Sequence, residues 1–183
     1  MLRFSDNPQQ ADKQMRAVIF YLTTFGYVDG DFDASEKAFV RNVIERLVES
    51  RVHSAVAADE ADFRAELTKK YTTHFHEVFE GIDRQVRELF TESVAEGENQ
   101  TDFVHAKLKL RCFEIFKSFG KDDQDRLLDA VDELIAADGQ VHPAEQKFRS
   151  ELASLLVDDQ GIELLEEEAP ARPRVSNVEA APV

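Results

Sequence analysis

The apolar residues of this chain recur at intervals of three and four along most of its length, which is the period of an α-helix. The first such stripe lies between Pro8 and Tyr27 and predicts a helix with one buried face. The same spacing predicts further helices that begin near Ala34, Asp59, Val86, Thr101, Asp122 and Pro143. We therefore predict an all-α fold, a compact bundle of about seven helices.

Residues typical of helix ends mark several boundaries. Thr101 is predicted to be an N-cap, and Gly120 to follow the last turn of that helix in the left-handed conformation. Asp122 is predicted to cap the next helix. Near the end of the chain the composition changes to acidic residues, Pro and Ala. We therefore divide the chain into a helical domain, 1–160, and a flexible tail, 161–183.

Two of the predicted helix junctions share a sequence motif. The segments 29–36 and 138–145 both read Asp-Gly-x-apolar-x-x-x-Glu, and a Phe follows three residues later in each. Each segment joins two predicted helices. The repetition predicts that the bundle contains two pseudo-repeated helix–loop–helix hairpins.

Much of the motif has a structural interpretation. Gly30 and Gly139 suit a left-handed backbone at the end of a helix, which a side chain disfavours. The apolar residue two positions later, Phe32 or Val141, is expected to fill the junction from the core side.

The glutamates of the motif also suit helix starts. Asp33 and Glu36 have the spacing of a capping box, in which each side chain accepts from a backbone N–H of the other residue. In the second copy, Pro143 stands at the first helical position and Glu145 at the third, which corresponds to Glu36. One interpretation is therefore that both glutamates have a purely structural role.

The aspartates of the motif favour a second interpretation, a cation site. Asp29 and Asp138 would each lie at the C-terminal end of a helix, where the dipole disfavours a carboxylate by about 0.3–1 kcal/mol. Clustered carboxylates also repel one another unless a cation lies among them. Such oxygen-rich clusters suit hard cations such as Ca²⁺ or Mg²⁺, and the divalent metal ion is left open among Ca²⁺, Mg²⁺, Mn²⁺ and Zn²⁺. The candidate metal ligands are Asp29, Asp31, Asp33, Glu36, Asp138 and Glu145.

The charge balance excludes several classes of partner. Acidic residues number 37 against 22 basic ones, a formal net charge of −15. Such a chain lacks the cationic surface that binds nucleic acid or anionic membranes. The first residues contain no signal-peptide core and no apolar run is long enough to insert in a membrane, so the expected location is the cytoplasm. The single cysteine, Cys112, lies on an apolar stripe and is expected to be a buried residue.

Two helical hairpins with this motif resemble the TerB-like domain of tellurite-resistance proteins and the related N-terminal region of DnaJ-like co-chaperones. The resemblance covers about Asp12 to Val157 and implies an all-α bundle with an acidic, metal-binding surface where the hairpins meet. The matching positions are Asp29, Glu36, Asp138 and Glu145. The family is associated with tellurite and chemical-stress response, with phage resistance and with protein complexes near the inner membrane of bacteria.

The resulting hypothesis is a cytoplasmic, non-enzymatic stress-response module that binds a divalent cation and docks protein partners, peripheral to the inner membrane only through those partners. A metal-dependent hydrolase that uses the same carboxylates is one alternative. A structural protein-interaction domain without metal is another. The pair His74 and His76 is not expected to bind one ion, because residues two apart on a helix point in different directions.

Overall fold

The computed structural model describes residues 2–30, 32–57, 59–91, 99–137, 139 and 141–167, with side chains as far as residue 155. The helices of this part of the chain are α1 (Pro8–Gly26), α2 (Ala34–Ala55), α3 (Ala61–Leu89), α4 (Gln100–Lys117), α5 (Lys121–Ile135) and α6 (Pro143–Glu167). No strand occurs among these residues, so the prediction of an all-α fold is confirmed.

The central helix is α1, which packs against α2, α3, α4 and α5. Its first half has one buried stripe, which includes Met15, Val18 and Ile19. From residue 21 to residue 28, however, every residue is buried, so other elements cover the end of the helix on all sides. The prediction of a single buried face is therefore wrong for this half. Among its buried polar groups, the hydroxyl of Thr23 donates to the carbonyl of Ile19 at 2.8 Å, whereas the hydroxyl of Tyr21 has no hydrogen-bond partner among the described residues.

The third and fourth predicted helices form one continuous helix, α3, so the described chain has six helices instead of the predicted seven. Gly81 lies inside α3, where a glycine costs about 1 kcal/mol relative to alanine. The apolar stripe continues on both sides of it through Phe79, Ile82 and Val86. Burial of each such side chain contributes about 1.5–3 kcal/mol, which outweighs the cost of the glycine. The remainder of the predicted fourth helix, beyond residue 91, lies outside the described residues.

Three of the predicted helix ends are wrong. The N-cap of α4 is Asn99 instead of Thr101, and its side chain accepts from the N–H groups of Thr101 at 2.9 Å and Asp102 at 3.3 Å. Gly120 does not adopt a left-handed conformation after α4, because it is the N-cap of α5 with φ −66°. Asp122 consequently lies within the first turn of α5, where the helix dipole stabilises a carboxylate.

The last helix, α6, continues to Glu167, beyond the predicted start of the tail at residue 161. Residues 168–183 lie outside the described residues. The division of the chain at residue 160 therefore stays a prediction.

The end of α1 has no room for a side chain at Gly26. A Cβ at this position would overlap the ring of Phe32, whose Cγ would lie 2.9 Å away. Phe32 is 5 % exposed and its ring also packs against those of Tyr27 and Phe79, so the prediction that it fills the junction is confirmed. The same prediction is wrong for Val141, which is 48 % exposed.

The substitution Gly26→Ala is expected to lower the free energy of unfolding by about 2 kcal/mol or more, because the added methyl group must displace a buried aromatic ring. The matched control is Gly81→Ala, where no described atom lies within 4 Å of the added Cβ. There the better helix propensity should raise the free energy of unfolding by about 0.5–1 kcal/mol. Urea denaturation measures both. Equal midpoints for Gly26→Ala and the wild type would contradict the packing at Phe32.

Candidate functional site

The two helix junctions that carry the sequence motif share their local structure. The first junction comprises residues 27–33 between α1 and α2, and the second comprises residues 136–142 between α5 and α6. The N–H groups of Gly30 and Gly139 each donate to the carbonyl three residues earlier, at 3.1 Å in both junctions. The two glycines have φ values of 97° and 81°, which confirms the predicted left-handed conformation.

Both junctions also cap the helix that follows. At the first, Asp33 Oδ1 accepts from the N–H of Glu36 at 2.8 Å, and Glu36 Oε2 accepts from the N–H of Asp33 at 2.9 Å, so the predicted capping box is confirmed. At the second, Glu145 Oε2 accepts from the N–H of His142 at 3.0 Å. The ring of His142 takes the place of the aspartate, since its Nδ1 accepts from the N–H of Ala144 at 3.2 Å. A neutral imidazole has such an acceptor nitrogen.

The carboxyl groups of these two capping glutamates lie in the protein interior. Glu36 is 7 % exposed and Glu145 is 3 % exposed. Burial raises the pKa of Glu36 from 4.5 to about 7, although the hydrogen bond from the N–H of Asp33 opposes the shift. The negative charges of Glu145 and Asp29 raise this pKa further. The fold therefore brings the carboxylates of the two junctions close enough to repel each other.

Of the other predicted metal ligands, the structure describes two, Asp29 and Asp33, and both belong to the first junction. Asp29 is exposed at the first junction, and the half-buried Asp33 is engaged in capping α2. Asp31 and Asp138 lie outside the described residues. Within the described ranges, no group of three His, Cys, Asp or Glu residues has an arrangement that could hold a metal ion. Glu36 and Glu145 carry carboxylate oxygens, the donor type that hard cations prefer, and the described residues alone do not complete a ligand set.

A polar network around the buried residues Tyr27 and Asp83 supports the first junction and was not predicted from the sequence. The hydroxyl of Tyr27 donates to Asp83 Oδ1 at 2.6 Å. Arg87 reaches both residues, with Nε 3.1 Å from the Tyr27 hydroxyl and Nη2 2.9 Å from Asp83 Oδ2. Lys37 Nζ lies 3.8 Å from Asp83 on the side of α2. The spacing of Asp83 and Arg87, four residues apart on a helix, was the available signal, but it also describes many surface ion pairs.

The structure also places three other residues that were considered from the sequence, His74, His76 and Cys112. His74 Nε2 lies 3.6 Å from Asp12 on α1, whereas His76 Nε2 lies 3.7 Å from Glu45 on α2. The two rings therefore face different helices, as expected for residues two apart on a helix. Cys112 is fully buried, and burial raises the pKa of its thiol to about 12, as expected for a structural cysteine.

In comparisons with protein-family models, curated proteins and solved structures, nothing matches this chain. The resemblance to the TerB-like family consequently stays a prediction. Across the residues that the structure describes, no helix has both the length and the apolar character needed to cross a membrane.

The substitution Tyr27→Phe is expected to lower the free energy of unfolding by about 1–2 kcal/mol, because it removes a hydrogen bond to the buried carboxylate of Asp83. Tyr71→Phe is the matched control, since Tyr71 is 43 % exposed and its loss of a hydroxyl should change stability by less than about 0.5 kcal/mol. Urea denaturation of both variants tests the network, and equal effects at the two tyrosines would contradict it.

The substitution Glu36→Gln is expected to flatten the pH dependence of stability. The folded state binds the Glu36 proton more tightly than the unfolded state, where the pKa is near 4.5. This stabilisation is therefore complete below pH 4.5 and is lost as the pH rises through about 7. Glutamine stays neutral and keeps an acceptor oxygen for the N–H of Asp33. Relative to the wild type, the variant should gain up to about 3 kcal/mol of stability between pH 5 and pH 8.

Urea denaturation across this pH range measures the gain. The matched control is Glu133→Gln on α5, whose side chain is 62 % exposed and should leave the pH dependence of the wild type unchanged. A Glu36→Gln curve parallel to that of the wild type would show that Glu36 does not titrate near neutral pH.

Proposed function

We propose that this chain is a non-enzymatic, TerB-like stress-response module whose helix junctions bind a divalent cation and whose acidic surface docks protein partners. The observation that carries the proposal is the pairing of Glu36 and Glu145. They occupy equivalent positions in the two copies of the motif, both are buried, and the charge of one raises the pKa of the other.

Two buried carboxylates in one place are costly unless their charge is balanced. Each loses hydration on burial, and each repels the other. A proton on Glu36 relieves this near neutral pH, and a divalent cation between the two groups would relieve it more completely. In this proposal Glu36 and Glu145 supply the central ligands. Asp29, Asp31 and Asp138 supply further oxygens, and Asp33 holds the first junction in place.

A cation at this position would connect the starts of α2 and α6. Glu36 belongs to the first turn of α2 and Glu145 to the first turn of α6, so a shared ion would hold the two hairpins together. The net charge of −15 favours partners with basic surfaces. We place the module in the bacterial cytoplasm, where partners could bring it to the inner membrane. The absence of enzymatic activity stays a prediction.

A structural protein-interaction domain without metal is the second candidate. It is favoured by the capping hydrogen bonds, because Asp33, Glu36 and Glu145 each already use one carboxylate oxygen to accept a backbone N–H. On this view the glutamates stabilise the starts of α2 and α6 and need no ion.

Addition of Ca²⁺, Mg²⁺, Mn²⁺ or Zn²⁺ to the chelator-treated chain is expected to raise the Tm if the junctions bind a cation. An ion present at about 100 times its Kd would stabilise the fold by about 2.7 kcal/mol. The gain should be larger at pH 8 than at pH 6, because a proton on Glu36 competes with the cation. Thermal unfolding followed by circular dichroism measures the effect, and EDTA should reverse it.

The double variant Glu36→Gln/Glu145→Gln should abolish the gain while both capping acceptors remain. The matched control is Glu77→Gln/Glu88→Gln, which removes two exposed carboxylates from α3 and should respond like the wild type. If no divalent ion raises the Tm of the wild type, the cation proposal is wrong and the metal-free candidate stands. If the Glu36/Glu145 variant still responds, the ion binds elsewhere.

A further inference from the structure

An apolar cavity of about 280 Å³ lies at the end of the molecule opposite the junctions. It is lined by the start of α1, the end of α2 and the start of α3, together with Phe4 from the segment that precedes α1. The side chains that form its floor and walls are apolar, and they include Met15, Val48, Val52, Leu67 and Phe75. Apolar surface that is open to solvent favours a ligand that removes it from water.

Two of the described lining residues are charged, and each has an oppositely charged neighbour. Asp12 accepts from Nε of Arg16 at 2.7 Å and lies 3.6 Å from His74. Arg51 is the one cation among the described lining residues.

The guanidinium of Arg51 has N–H donors available for a ligand at the mouth of the cavity. Its Nη2 donates to the carbonyl of Ser5 at 2.8 Å, whereas its Nη1 lies 3.6 Å from Asp6, too far for a hydrogen bond. The side chain of Asp6 is fully exposed, so another carboxylate can replace it at little cost. A guanidinium has five N–H donors and pairs with a carboxylate through two parallel hydrogen bonds.

We propose that this cavity binds a small amphiphilic carboxylate, a medium-chain fatty acid, with its tail among the apolar side chains and its carboxylate on Arg51. The size agrees with this class of ligand. An apolar cavity of about 150 Å³ holds one benzene molecule, so 280 Å³ has room for about eleven non-hydrogen atoms. The tail of decanoate fits within that limit when the carboxylate lies at the mouth. The site uses none of the junction residues and does not depend on the proposed cation.

The test is isothermal titration of the full chain with decanoate, and with decanol as a ligand of the same length but without charge. Decanoate is expected to saturate one site. Arg51→Met should weaken decanoate about ten- to a hundredfold, because a charge-assisted hydrogen bond is lost, and should leave decanol binding unchanged. The matched control is Arg46→Met, an exposed arginine of α2 that does not line the cavity, which should bind decanoate like the wild type.

Filling the cavity is the second arm of the test. Ala11→Leu places a larger side chain inside and should weaken decanoate and decanol alike, with thermal unfolding to verify that the variant folds. Ala55→Leu, at the exposed end of α2, serves the same purpose if Ala11→Leu does not fold. Equal decanoate binding by wild type, Arg51→Met and the filled variant would overturn the proposal. Binding to phosphatidylglycerol vesicles without binding of free decanoate would overturn it as well.

Discussion

The enclosure of the last turns of α1 is the constraint on which the rest of the structure depends. Four helices surround this helix, so residues 21–28 have no solvent-facing side. Aromatic contacts connect it to the second half of the chain, with ring centroids 5.2 Å apart for Tyr21 and Phe116 and 5.1 Å apart for Phe25 and Phe148. These contacts hold the end of α1 against α4 and α6. The chain must then leave α1 through Gly26, because the ring of Phe32 occupies the adjacent space.

The same packing of α1 against α6 accompanies the approach of the two junctions, whose glutamates Glu36 and Glu145 interact electrostatically. Each glutamate performs a local task, since it accepts the backbone N–H at the start of its own helix. Together the two carboxylates repel each other, because burial removes the water that would screen their charges at the surface. The pKa of Glu36 is raised because its carboxyl group is buried and because the charge of Glu145 repels its negative charge. The proposed cation site is one way to relieve it, and protonation is the other.

The cavity and the junctions occupy opposite ends of α1, about 20 Å apart at a rise of about 1.5 Å per residue. Their chemistry also differs. The junctions present buried carboxylates that suit a cation, whereas the cavity presents apolar walls with a cation at its mouth. The two proposals therefore do not share residues, and each test can fail without affecting the other.

Features that depend on residues a few positions apart were predictable from the sequence. These include the helical class, the left-handed Gly30 and Gly139 and the capping box of Asp33 and Glu36, because local steric and hydrogen-bond preferences decide them. Competing local signals were less reliable, since Asn99 replaced Thr101 as a cap and the third and fourth predicted helices form one helix. Only the tertiary structure decided which distant groups meet. It buried Phe32 but exposed Val141, enclosed Asp83 and paired Glu36 with Glu145. Burial and charge repulsion arise from neighbours in space, which spacing along the chain does not specify.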